Sequence, residues 1–177
     1  MKSVKKLHSA TGPWVNFHNA NCYNSPEVAF TKRFINIYRN SVDGDGVGIR
    51  EFQVQGLGIA DFLWVQKDAV PKIIAFELKL KCWQRGLLQA YRYSFFSDES
   101  YLVVPQKLSD VVLKHIDHFR DMNIGLIGFE EESKSFTVYQ SPPTKKYSSN
   151  VARARALKSL IADYNLGFLA KHGDCLL

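Results

Sequence analysis

The stretch "IIAFELKLKCW", Ile73 to Trp83, constrains the fold more than any other part of the chain. It is an apolar run that carries Glu77 and Lys79 two places apart. Side chains alternate between the faces of a strand, so these two point one way and Ile74, Phe76, Leu78 and Leu80 the other. The pattern predicts a strand buried on one side and charged on the other, with Ile73 and Ala75 sharing the charged side. An ion pair in so apolar a setting returns about what its desolvation costs. It calls for a reason other than stability.

With 177 residues the chain fits a single domain, and 46% hydrophobic and 23% charged residues are ordinary for a globular protein. No apolar run reaches the ~18 residues of a membrane span, and "MKSVKKLHSATG" lacks the apolar core of a signal peptide. Cys22, Cys82 and Cys175 are odd in number and lack CxxC spacing, which predicts reduced thiols rather than a zinc site. The expectation is a cytoplasmic protein with no membrane association.

The net charge of +6 divides unevenly. Residues 1–20 contribute +3, residues 140–177 contribute +4, and residues 21–139 are left at −1. Basic ends around a centre that gathers carboxylates suit a protein that grips a polyanion with its periphery. Solubility accounts for the same charge equally well.

Ser25 as N-cap and Pro26 at the first helical position open a helix over 25–40, with Phe30, Phe34, Ile37 and Tyr38 on one face. "IREFQVQ" and "IADFLWVQ" read as strands parted by "GLG", followed by a turn and the strand of Glu77. A helix over 83–96, a strand over 101–105, a helix over 108–122, and strands over 124–130 and 135–140 follow. "SPPTKKYSS" then leads to a basic helix over 150–164. The expected fold class is α/β (α+β mixed): a central mixed sheet flanked by helices, in one domain over 1–177. Its core spans about 25–140, and 141–177 form a basic C-terminal extension.

Asp61 precedes Glu77 by sixteen residues, a gap that fits adjacent strands joined by a turn. If they pair, Asp61, Glu77 and Lys79 converge at one end of the sheet. Two carboxylates bind a hard divalent cation through oxygen, and such an ion polarises a phosphoryl oxygen and acidifies water. A lysine beside them orients or helps to activate the attacking water and offsets developing negative charge.

Asp61 of "GIAD" with Glu77 and Lys79 of "ELK" resembles the PD-(D/E)xK nuclease superfamily, the restriction-endonuclease-like fold. Ala60 stands where that family commonly has proline. The αβββαβ element order of its core is matched from Ser25 to about Val104. Gln89 and Tyr93 of "QAYRY" match the Q-xxx-Y spacing of RecB-like nucleases and share a helix face, with Arg85 and Arg92 nearby. The resemblance implies a DNA endonuclease that uses Mg²⁺, with Mn²⁺ as a substitute, and leaves a 5′-phosphate. It implies Asp61, Glu77 and the Leu78 main-chain carbonyl as ligands, with Glu27 of the first helix joining them. Lys79 would assist the water, and Gln89 and Tyr93 would brace the site or touch the scissile strand.

Candidate phosphate contacts are Arg85, Arg92, Lys145, Lys146, Arg153, Arg155 and Lys158. A chain this short leaves little room for a sequence-reading domain, so a homodimer or a protein partner would direct cutting. RNA is an open alternative to DNA, and a non-cleaving nucleic-acid-binding module is the alternative function. "GLGIAD" lacks the third glycine of a dinucleotide site, and "DGDG" lacks the ligands of a calcium loop. His115 and His118 read as exposed polar residues.

Overall fold

The computed structural model describes residues 25–42, 44–143 and 147–170. Helix α1 (Pro26–Ser41) begins as its sequence predicts, with Ser25 Oγ accepting the Val28 N–H at 3.2 Å. The meander β1 (Gly46–Val54), β2 (Gly58–Gln66) and β3 (Lys72–Leu78) follows. Next come α2 (Trp83–Tyr93), β4 (Glu99–Pro105), α3 (Gln106–Leu113), α4 (Ile116–Met122), β5 (Gly125–Glu130) and β6 (Ser135–Gln140). Helix α5 (Asn150–Ala162) and a 3₁₀ turn at Gly167–Leu169 close the described chain.

The six strands lie in the order β1-β2-β3-β4-β5-β6. Neighbours are antiparallel except for β3–β4 and β4–β5, which are parallel. The protein is a mixed α/β fold with helices on both faces of its sheet. Parallel neighbours require a crossover, and α2 supplies the one between β3 and β4.

That crossover corrects the one-sided reading of the Glu77 strand. On one face Phe62, Phe76 and Leu78 pack with Phe30, Phe34 and Tyr38 of α1. On the other, Ile73 and Ala75 pack with Tyr93 of α2 and with Ala156, Leu157 and Leu160 of α5. Ile73, Ala75 and Glu77 are all fully buried. Strands inside a sheet covered on both sides read as continuous apolar runs, as "IIAF" does. Helix α5 belongs to this core, although it follows a Pro/Ser-rich connector.

A second correction concerns the helix expected over 108–122, which is two. The His115 N–H bonds the Val112 carbonyl at 2.9 Å, and the His118 N–H bonds the His115 carbonyl at 3.1 Å. These i→i+3 bonds replace the α-helical ladder between α3 and α4. Neither glycine nor proline marks the break in the sequence. Among the described residues, no helix is long and apolar enough to cross a membrane.

Candidate active site

The β2–β3 ladder runs from Gln66↔Lys72 to Phe62↔Phe76 and stops. Continuing that register by one step would set Asp61 opposite Glu77. Instead the strands part, and the Asp61 side chain takes the place of a backbone partner. Its Oδ2 accepts the Leu78 N–H at 2.7 Å. The end of the ladder thus brings the two acids together, and the Asp61 carboxylate is held by main chain.

Glu77 is fully buried, on the sheet face that α2 covers. Tyr93 Oη lies 2.7 Å from Glu77 Oε2 and 2.6 Å from the Ile59 carbonyl oxygen. Lys79 Nζ pairs with Glu77 Oε1 at 2.6 Å. Gln89, one turn before Tyr93, hydrogen-bonds towards the tyrosine, and its own Oε1 is buried without a partner. A buried amide oxygen without a donor is unusual, because it costs ~1–3 kcal/mol when left unsatisfied.

Gly86 lets α2 come this close. A Cβ there would lie 2.7 Å from Lys79 Cγ and 2.7 Å from Leu102 Cδ1. Sequence reasoning misses this residue, although a glycine inside a helical pattern commonly marks close packing.

The electrostatics follow from this enclosure. Burial pushes the Asp61 carboxyl up to about 7, with the neighbouring Glu77 charge adding to the rise. The Leu78 N–H and Lys79 oppose that rise. Burial also raises Glu77, against the pull of Lys79 and Tyr93. Burial disfavours the Lys79 ammonium, but Glu77, Asp61 and Glu27 outweigh it and hold the group above its ordinary value, hence charged. Burial and then the Glu77 charge keep the Tyr93 phenol protonated.

The other expected site residues divide. Glu27 is exposed in the first turn of α1 and raises both buried acids through its charge. Among the described residues, however, no group of three or more His, Cys, Asp or Glu side chains is placed to hold an ion. Leu78 is buried, with its N–H bound to Asp61. Arg85, Arg92, Arg155 and Lys158 are exposed. Lys145 and Lys146 lie outside the described residues.

Arg153 is a correction: it does not face solvent. It is 6% exposed, pairs with Asp98 at 3.0 Å, donates to the Phe96 carbonyl at 2.8 Å, and sits over the Tyr147 ring. Its guanidinium ties α5 to the loop between α2 and β4. On α2, Trp83, Gly86, Leu87, Ala90 and Tyr93 face inward, while Leu88 and Tyr91 are 52% and 40% exposed.

No family model and no curated protein matches the chain. Among solved structures it is similar to a protein of unknown function from Silicibacter pomeroyi, at 14% identity and a TM-score of 0.49. That match covers 73% of this chain and 81% of the other.

Proposed function

We propose that the chain is a divalent-metal-dependent phosphodiesterase acting on DNA, of the PD-(D/E)xK type that its motif resembles. One observation carries the reading: the Asp61 and Glu77 carboxylates converge beside a charged Lys79 where β2 and β3 part. Their burial is costly unless something cationic offsets it. Two carboxylates with main-chain oxygens suit Mg²⁺, which keeps several waters and binds through one or two protein carboxylates. One ammonium, Lys79, stands against two buried carboxylates, and the excess negative charge is what such an ion would neutralise, so the residues fit it.

Asp61 and Glu77 would hold the metal, with the Leu78 carbonyl as the further ligand that the resemblance implies. When bound, the ion supplies Lewis-acid polarisation of the phosphoryl group and a more acidic water. The Leu78 N–H fixes the Asp61 rotamer, and Tyr93 fixes Glu77. Lys79, held as an ammonium, donates to water or to a non-bridging phosphate oxygen as negative charge develops.

The test is cleavage of linear, supercoiled, branched and single-stranded DNA, and of RNA, with Mg²⁺, Mn²⁺ or a chelator. Metal-dependent cutting that leaves a 5′-phosphate is expected. Lys79→Ala should reduce it by orders of magnitude while the folded fraction keeps its nucleic-acid affinity, with some loss of stability because buried Glu77 loses its ionic partner. Binding without cleavage on every substrate would leave the non-cleaving module as the function.

A further inference from the structure

The break between α3 and α4 does more than shorten a helix. Side chains at i and i+3 eclipse across a 3₁₀ turn, and the His118 N–H bond to the His115 carbonyl is of that type. The two imidazoles accordingly lie nearly parallel, at 9° with centroids 6.2 Å apart. His115 continues onto the Trp83 indole at 5.1 Å and 31°, and Trp83 onto Phe119 at 6.1 Å and 24°. Four rings thus form one ladder. Phe119 and Trp83 anchor it in the core with Leu87 and Val112, while His115 and His118 are exposed.

The ladder starts beside the candidate active site. Trp83 opens α2, and Gly86, three residues on, packs against the Lys79 side chain. Lys81, Arg85 and Lys114 are exposed next to Trp83 and His115 in the sequence. Of the acids on α3 and α4, Asp117 is paired with Arg120 at 2.8 Å, while Asp110 and Asp121 are exposed. Two exposed aromatic rings with cations close to them in the chain match what a nucleotide offers, a π-face joined to a phosphate. Paired bases hide their faces inside the stack, so an unpaired base is the partner that fits.

We propose that the Trp83–His115–His118 ladder is a stacking platform for an unpaired nucleobase. It makes a single strand, or a single-stranded flank of a duplex, the substrate that the site receives. The inference rests on the nucleic-acid reading of that site and names its substrate class.

The experiment measures binding by fluorescence anisotropy in chelator, where no cleavage occurs. The probes are a fluorescein-labelled twelve-nucleotide oligothymidylate, its oligouridylate counterpart, and a blunt DNA duplex of the same length. His115→Ala/His118→Ala should weaken single-strand binding roughly fivefold to a hundredfold, the range for loss of base–aromatic stacking, and leave duplex binding unchanged. His115→Phe/His118→Phe should bind the single strand as the wild type does, because it keeps the aromatic rings. Both residues are exposed, so unchanged melting curves certify the variants.

Three results overturn the platform: no single-strand binding by the wild type, unchanged binding by the Ala pair, or equal losses on single strand and duplex. A wild type whose binding depends on the ladder but which never cuts in Mg²⁺ sinks the phosphodiesterase and keeps the platform. A wild type that cuts while the Ala pair binds normally does the reverse.

Discussion

Tyr93 and Glu77 share one proton between α2 and β3. The tyrosine hydroxyl stands 2.7 Å from Glu77 Oε2 and 2.6 Å from the Ile59 carbonyl, and one hydrogen cannot serve two acceptors. With Glu77 ionised, Tyr93 donates to it and leaves the carbonyl short. With Glu77 protonated, the acid donates to Tyr93 and the phenol serves Ile59. The Ile59 carbonyl therefore has the phenol to itself only when Glu77 is protonated.

Tyr93→Phe tests this sharing. It strands a buried carboxylate oxygen and a carbonyl, so stability should fall by about 1–3 kcal/mol. It also removes a donor that lowers the Glu77 pKa, so Glu77 should become harder to ionise. Calorimetry at neutral pH should show weaker Mn²⁺ binding, and the acidic limb of any activity profile should move to higher pH. Unchanged metal affinity together with an unchanged melt would mean the hydroxyl is idle.

The raised Asp61 carboxyl predicts an inverted pH dependence. Unfolded, the group ionises near 3.8; folded and without metal, it ionises at about 7. Between those values the native state binds more protons than the unfolded state, so stability falls as pH rises. The contribution is full below about 3.8 and gone above about 7, with a slope approaching ~1.4 kcal/mol per pH unit for one proton. Asp61→Asn keeps an oxygen for the Leu78 N–H and removes the titration. Denaturant melts in chelator from pH 4 to 8 should therefore show the wild type losing stability relative to the Asn variant. Parallel curves would place the Asp61 carboxyl at its ordinary value.

Where the structure could be read from sequence, local chemistry was enough. Ser25 and Pro26 announce α1, and the spacing of Asp61 and Glu77 announces adjacent strands that meet at a charged end. What could not be read depends on contacts between distant segments. Arg153 looks like one of three cations on a basic helix. Only the arrival of Asp98 and the Phe96 carbonyl, more than fifty residues away, turns it inward. The His115 break has no local signal either, since two 3₁₀-type bonds form without glycine or proline. Glu77 is buried because α2 covers a face that strand alternation alone assigns to solvent.

Arg153 and its helix neighbours should therefore separate cleanly. Removing one partner of a buried ion pair strands the other, so Arg153→Ala should cost about 3–5 kcal/mol of stability. Among folded molecules it should leave the salt dependence of nucleic-acid binding as it was. Arg155→Ala/Lys158→Ala should leave the melt within about 0.5 kcal/mol and flatten the log–log salt slope by about one for each phosphate no longer neutralised. A slope that Arg153→Ala alone flattens would put that guanidinium on the ligand after all.

The central strand permits a sharper separation between adjacent residues that face opposite ways. Phe76 is fully buried, stacks against Phe62 and Tyr101, and meets Phe34 and Tyr38 of α1. Phe76→Ala should cost about 3–5 kcal/mol without removing a group from the site. Glu77→Gln should do the opposite. It relieves repulsion with Asp61 and the cost of a buried charge, and although it takes the carboxylate from Lys79, that ammonium still faces Asp61, so the metal-free protein should lose far less stability than Phe76→Ala does. Activity should vanish. Metal separates the two variants: Mg²⁺ at a hundred times its dissociation constant stabilises a binding-competent fold by roughly 2.7 kcal/mol. The wild type and Phe76→Ala should both gain that increment in thermal melts, and Glu77→Gln should gain little. If Glu77→Gln instead unfolds the chain and Mg²⁺ shifts no melting curve, Glu77 is a structural acid paired with Lys79, and the phosphodiesterase reading fails.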